Sequence, residues 1–140
     1  IGYLINPRQH HKHAYYLIKN SDLGGLTANE IDMVANVARY HRRAMPTLKH
    51  QGFGSLSPRM KRVVKVLSAL LRIADGLDRP HFSAVQTVNV KIGKTVTIEA
   101  TVSGDAEMEL WAAKNRADLF EQAFRRRVQF SEVPQEARPS

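Results

Sequence analysis

Residues 57–100 read SPRMKRVVKVLSALLRIADGLDRPHFSAVQTVNVKIGKTVTIEA, and within them the apolar period changes from 3.6 to 2. Ser57-Pro58 is a helix start: the serine hydroxyl can accept from a first-turn N–H, and proline at the first helical position gives up only an N–H with no partner there. The helix is expected to run to about Leu77, burying Val63, Leu67, Leu70, Ala74 and Leu77, with Lys61, Arg62, Lys65 and Arg72 on the opposite side. Asp75 shares a further stripe with Val64 and Leu71, so it is expected to turn inward, where a carboxylate needs a partner. Past DRPHFS, Val88, Val90 and Ile92 alternate with Asn89 and Lys91; past Gly93-Lys94, Val96, Ile98, Ala100 and Val102 alternate with threonines and Glu99. This predicts a hairpin, with Gly93 at the first turn position of a type II′ turn. A long helix followed by a hairpin makes the chain α+β.

Upstream the pattern is helical. One helix is expected from about Arg8 to Asn20, stopped by the glycines of SDLGG. Thr27 with Glu30 three positions on forms a capping box for a second helix to about Arg43, whose apolar face holds Ile31, Val34, Ala35, Ala38 and His41. Met45-Pro46 ends it, and TLKHQGFGSLS reads as a glycine-bearing loop. Downstream of the hairpin, Leu110, Ala113, Ala117, Phe120 and Phe124 recur at helical spacing from about Glu107 to Arg125, and RVQF can add a short third strand. The result is a ββαβ unit. The closing SEVPQEARPS lacks apolar content and is expected to be disordered.

The 140 residues amount to about one domain's worth of chain. With no cysteine there is no disulfide framework and no thiolate metal site, and the expected setting is reducing and cytoplasmic. No apolar run approaches the roughly 20 residues that span a bilayer, so no membrane partner is expected. The opening IGYLIN starts inside an apolar segment without a methionine, which suggests a chain cut from something longer.

The net charge of +8 is concentrated. From Met33 to Ala74 there are nine basic residues and no acidic one: Arg39, Arg42, Arg43, Lys49, Arg59, Lys61, Arg62, Lys65 and Arg72. The remainder holds 12 basic and 13 acidic residues and is close to neutral. Such a field favours a polyanion, although the same residues could serve only as a solvated face.

RQHHKHAYYLIKNSDL, residues 8–23, places three histidines at positions 10, 11 and 13. Together with His41 and Asp75, His11 and His13 form a candidate metal set, because imidazole nitrogen and carboxylate oxygen suit zinc, manganese or iron. The alternative is that each is an ordinary hydrogen-bonded side chain. Tyr15, Tyr16 and Tyr40 beside basic groups could stack the bases of a single strand, or simply edge a core. Neither a GxGxxG nor a GxxxxGK[ST] phosphate loop is present, and no serine or cysteine nucleophile arrangement can be argued.

HKHAYYLIKNSDLGG from His11 to Gly25, RYHRR from Arg39 to Arg43, LLRIADGLDR from Leu70 to Arg79 and NRADLFEQAFRRRVQF from Asn115 to Phe130 together resemble the C-terminal region of the exopolyphosphatase / guanosine pentaphosphate phosphatase (Ppx/GppA) family. The resemblance covers nearly the whole chain. It implies a helical HD-like domain over residues 1–80, truncated at its start, then a small ββαβ subdomain over 81–131 and a tail over 132–140. It implies that hydrolysis of the phosphoanhydride, and the magnesium that serves it, belong to N-terminal actin-like domains of the parent chain, which would be partners of this one. No cofactor is expected in the chain itself. His11, His13, His41 and Asp75 are then vestigial positions of an HD-type centre whose His-Asp pair would precede Ile1. The expected function is a polyphosphate-binding accessory domain, with Arg42, Arg43, Lys49, Arg59, Arg62 and Lys65 as anion contacts and a homodimer as a possible assembly. A metal-dependent HD-type phosphohydrolase and a nucleic-acid-binding module are the alternatives.

Overall fold

The computed structural model describes residues 10–78 and 84–134, with backbone alone at 10–12. The elements run α1 (His10–Lys19), α2 (Ala28–Tyr40), α3 (Gln51–Gly54), α4 (Pro58–Leu77), β1 (Val85–Ile92), β2 (Thr95–Val102), α5 (Glu107–Lys114), α6 (Asp118–Phe124) and β3 (Arg127–Pro134). The fold is α+β, as the change of period requires. Two compact units are formed, Ile1–Leu71 and Arg72–Ser140, so the division falls inside α4.

In the first unit the chain is punctuated mainly by side-chain caps. Arg8 and the opening residues lie outside the described part. The end of α1 is made by Asn20, whose amide donates to the Tyr16 carbonyl at 2.8 Å, and by Ser21, whose hydroxyl donates to the Leu17 carbonyl. Two last-turn carbonyls are satisfied this way, and the glycines are not the stop: Gly25, at φ 87°, turns the chain five residues further on. Thr27 and Glu30 form the expected capping box, the Thr27 hydroxyl accepting from the Glu30 N–H and the Glu30 carboxylate from the Thr27 N–H. α2 ends at Tyr40, three residues short of Arg43, and its buried residues are Ala35, Asn36 and Tyr40, while Val34 is exposed. The expected loop contains the short helix α3, whose Phe53 joins Tyr40, Leu56 and Val64 in a core flanked by Met33, Val37, Ala44 and Met60. Asn36 is fully buried, and its amide donates to the carbonyls of Asp32 and Gly52, which ties α3 to α2. Ser57 caps α4 by accepting from the Met60 N–H at 3.3 Å.

The face that α4 buries differs from the expected one. Val64, Ser68, Ala69, Arg72, Ile73, Gly76 and Leu77 are buried, whereas Leu67, Leu70 and Leu71 are 46, 46 and 41% exposed. Small residues decide this, because they let neighbouring backbone approach. At Gly76 a Cβ would stand 2.6 Å from the Ala113 Cα and 2.7 Å from its N. Arg72 is therefore on the buried side and not with the other cations. It donates to the Asp118 carboxylate at 3.0 Å.

In the second unit β1 and β2 are antiparallel and β2 and β3 parallel, in the order β1-β2-β3. β2 alternates in burial as its sequence does, with Val96, Ile98, Ala100 and Val102 inside. Across the ladder Asn89 and Lys91 both donate to Glu99. The hairpin turn is not type II′: among described glycines positive φ is confined to Gly25 and Gly104, so Gly93 lacks the conformation that turn needs. The single helix expected at 107–125 is two. At this break Arg116, between the two helices, and Asp118, the first residue of α6, pair with Asp75 and Arg72 of α4. β3 is longer than RVQF and runs to Pro134, so residues 131–134 are strand and not tail. Residues 135–140 lie outside the described part.

Candidate functional site

The cations of the first unit occupy two settings. Arg59, Arg62 and Lys65 are all exposed on the first half of α4, at i, i+3 and i+6. At 1.5 Å rise per residue they rise in steps of about 4.5 Å along one side of the helix. Arg43 and Lys49 are also exposed, in the segment between α2 and α3, while Arg42 is half-buried. Arg72 is absent from this surface, because Asp118 neutralises it in the second unit.

The second setting is a cavity of about 520 Å³ between α1, α2 and α3, lined by Tyr15, Lys19, Asp32, Arg39, Lys49 and His50 among others. Asp32 is engaged by Lys19. The Arg39 guanidinium carbon lies 5.7 Å from the Tyr15 ring centroid and 5.9 Å from that of Tyr40, so both rings present a face to one cation. Tyr40 is fully buried beneath it, edge-on to Phe53 at 5.8 Å, with its hydroxyl 2.8 Å from His50 Nδ1. Burial pushes the Tyr40 hydroxyl up to about 12, against the neighbouring Arg39 charge, so it keeps its proton at neutral pH. In the sequence Tyr15 and Tyr40 suit base stacking and Arg39 belongs to the basic segment; only the packing of α1 on α2 brings Tyr15 to Arg39.

The His11 side chain lies outside the described residues. His41, at the end of α2, donates from Nδ1 to the Ala38 carbonyl at 2.6 Å. Asp75 accepts from the Arg116 guanidinium. Among the described residues no three His, Cys, Asp or Glu side chains are grouped to hold a metal ion. No described helix is long and apolar enough to cross a membrane.

Fold and site define an α+β chain whose helical unit concentrates cations on one helix and in one cleft. The chain belongs to the Ppx/GppA phosphatase family: residues 1–121 match that family's domain III, described as "Ppx/GppA phosphatase, domain III". Over 74 residues, 53% of the chain, it is 32% identical to a guanosine-5'-triphosphate,3'-diphosphate pyrophosphatase of Pseudoalteromonas translucida (strain TAC 125). That match spans 14% of the relative's length.

Proposed function

We propose that this chain is an accessory domain of an exopolyphosphatase-type phosphoanhydride hydrolase, holding polyphosphate through Arg42, Arg43, Lys49, Arg59, Arg62 and Lys65 while catalytic domains of the parent enzyme, with magnesium, cleave the terminal bond. The observation that carries the reading is the segment from Met33 to Ala74, with nine basic residues and no acidic one. Five of the six proposed contacts are exposed and the sixth, Arg42, is half-buried. A repeating phosphate chain is matched by a row of cations rather than by one tight site, because each contact is weak, additive and screened by salt. The spacing of Arg59, Arg62 and Lys65 on α4 supplies such a row. Family membership supports the phosphoanhydride class. The relative's printed name supports a guanosine polyphosphate as the alternative substrate of the parent enzyme.

The test is titration of the 140-residue chain with long-chain polyphosphate at two salt concentrations. Binding at low salt that weakens steeply as salt rises, and weakens again when Arg59, Arg62 and Lys65 are all changed to glutamine, is the expected result. No binding at low salt ends the proposal. Single-stranded RNA competing on equal terms at equal charge would replace it with the nucleic-acid reading.

A further inference from the structure

We propose that the cleft between α1, α2 and α3 is a discrete oxyanion site anchored by Arg39. Four observations converge on it. The Arg39 Nε is buried and has no hydrogen-bond partner among the described residues. Buried polar groups nearly always have partners, so an orphaned cationic N–H beside a cavity points to a missing acceptor. The guanidinium carbon lies over the faces of Tyr15 and Tyr40, a contact that uses none of its N–H groups. The cleft offers three cations, Lys19, Arg39 and Lys49, against the single carboxylate of Asp32, which Lys19 already engages. Position 52 is glycine, and a Cβ there would run into the Tyr15 hydroxyl, so the wall that holds Arg39 closes only around a residue without a side chain.

The volume of about 520 Å³ suits a small molecule rather than a long chain. A forked, delocalised cation whose Nε–H has no partner among the described residues matches a phosphate-class oxyanion, either a free one such as pyrophosphate or the phosphate end of a nucleotide. The site shares Lys49 with the proposed polyphosphate surface and nothing else. It does not rest on that reading.

The experiment follows the Arg39 Nε–H and backbone amide signals of the ¹⁵N-labelled 140-residue chain during titration with pyrophosphate, and in parallel with guanosine diphosphate. Saturable movement of the Arg39 Nε–H with the amides of Gln51 and Gly52 is expected. Arg39→Gln should weaken binding about tenfold, the scale of one charge-assisted hydrogen bond. Arg39→Lys, which keeps the charge and loses the fork, should recover only part of it. If Arg39→Gln fails to fold, the exposed Lys49→Gln and the wall variant Gly52→Ala must each weaken binding. Tighter binding of pyrophosphate than of the nucleotide assigns the free oxyanion; the reverse order assigns the nucleotide phosphate. Shifts that do not saturate, that fall instead on Arg59, Arg62 and Lys65, or that are the same in the Arg39 variants overturn the proposal. The triple α4 variant is expected to keep pyrophosphate binding whatever it does to long chains, so failure of the polyphosphate reading leaves this one to stand or fall by itself.

Discussion

Asp75 and Arg116, 41 residues apart, form an ion pair that ties the last turns of α4 to the junction of α5 and α6. The carboxylate that looks like a metal ligand in the sequence thus has a structural partner. Its side chain is 23% exposed and that of Arg116 30%, so water screens the pair in part. Asp75→Ala should lower the unfolding free energy by about 1–2 kcal/mol, chiefly because a half-buried guanidinium loses its acceptor. Urea denaturation measures this. Unchanged stability, with altered uptake of manganese or zinc, would return Asp75 to the metal set.

Gly76 carries the sharper structural demand. A Cβ there meets Ala113 backbone, and backbone cannot rotate aside as a side-chain end can. Gly76→Ala would gain helix propensity at an exposed site, but here it should cost about 2–3 kcal/mol through overpacking between α4 and α5. Thermal melts of this variant beside Ala74→Gly, at an exposed position of the same helix, separate the two effects. The first should fall well below the second, which loses only about 1 kcal/mol.

What the sequence made legible was what neighbouring residues decide. Thr27 with Glu30, Ser57 with Pro58, and the alternation from Val96 to Val102 are each decided by residues a few positions apart and stand in the fold as read, whereas Val88, Val90 and Ile92 pair as a strand but stay 46, 49 and 77% exposed. The face of α4 was not legible, because large aliphatics such as Leu67 and Leu70 dominate a periodicity count. Close approach at Gly76 and the Arg72–Asp118 pair, 46 residues apart, settle the burial instead. At the break between α5 and α6, Arg116 likewise pairs with Asp75 across 41 residues. Among the candidate site residues, the exposed cations of α4 follow from charge and spacing alone. The Arg39 cleft needs Tyr15 and Tyr40 brought together, which no local pattern announces.

The capping box of α2 gives a pH signature. Glu30 accepts from the Thr27 N–H and hydroxyl, the backbone bond first, and these hold its carboxyl below the ordinary value of 4.5. A carboxyl depressed in the folded state stabilises fully above its unfolded value and loses that contribution as pH falls through the folded one. The advantage of the wild type over Glu30→Gln should therefore be constant from neutrality to about pH 5 and shrink below 4.5. Thr27→Ala should cost about 1 kcal/mol at neutral pH. Paired denaturation curves across this range check both; an advantage that grows on acidification would contradict the bonding seen here.

Arg125 closes α6 in the left-handed region, at φ 52° and ψ 40°, and is the one non-glycine residue with positive φ among those described. Its side chain is exposed. An L-residue with a Cβ is strained there by about 1–2 kcal/mol, while glycine is not, though glycine has more unfolded-state freedom to lose. The balance favours Arg125→Gly by about 0.5–1 kcal/mol. Arg126→Gly, one residue on and without positive φ, should be destabilising by a similar amount. Each variant removes one arginine from the same turn, and Arg126→Gly loses in addition the guanidinium's hydrogen bond to the Gly93 carbonyl. Unfolding free energies that shift in the same direction for both would show that charge, and not backbone strain at Arg125, governs the end of α6.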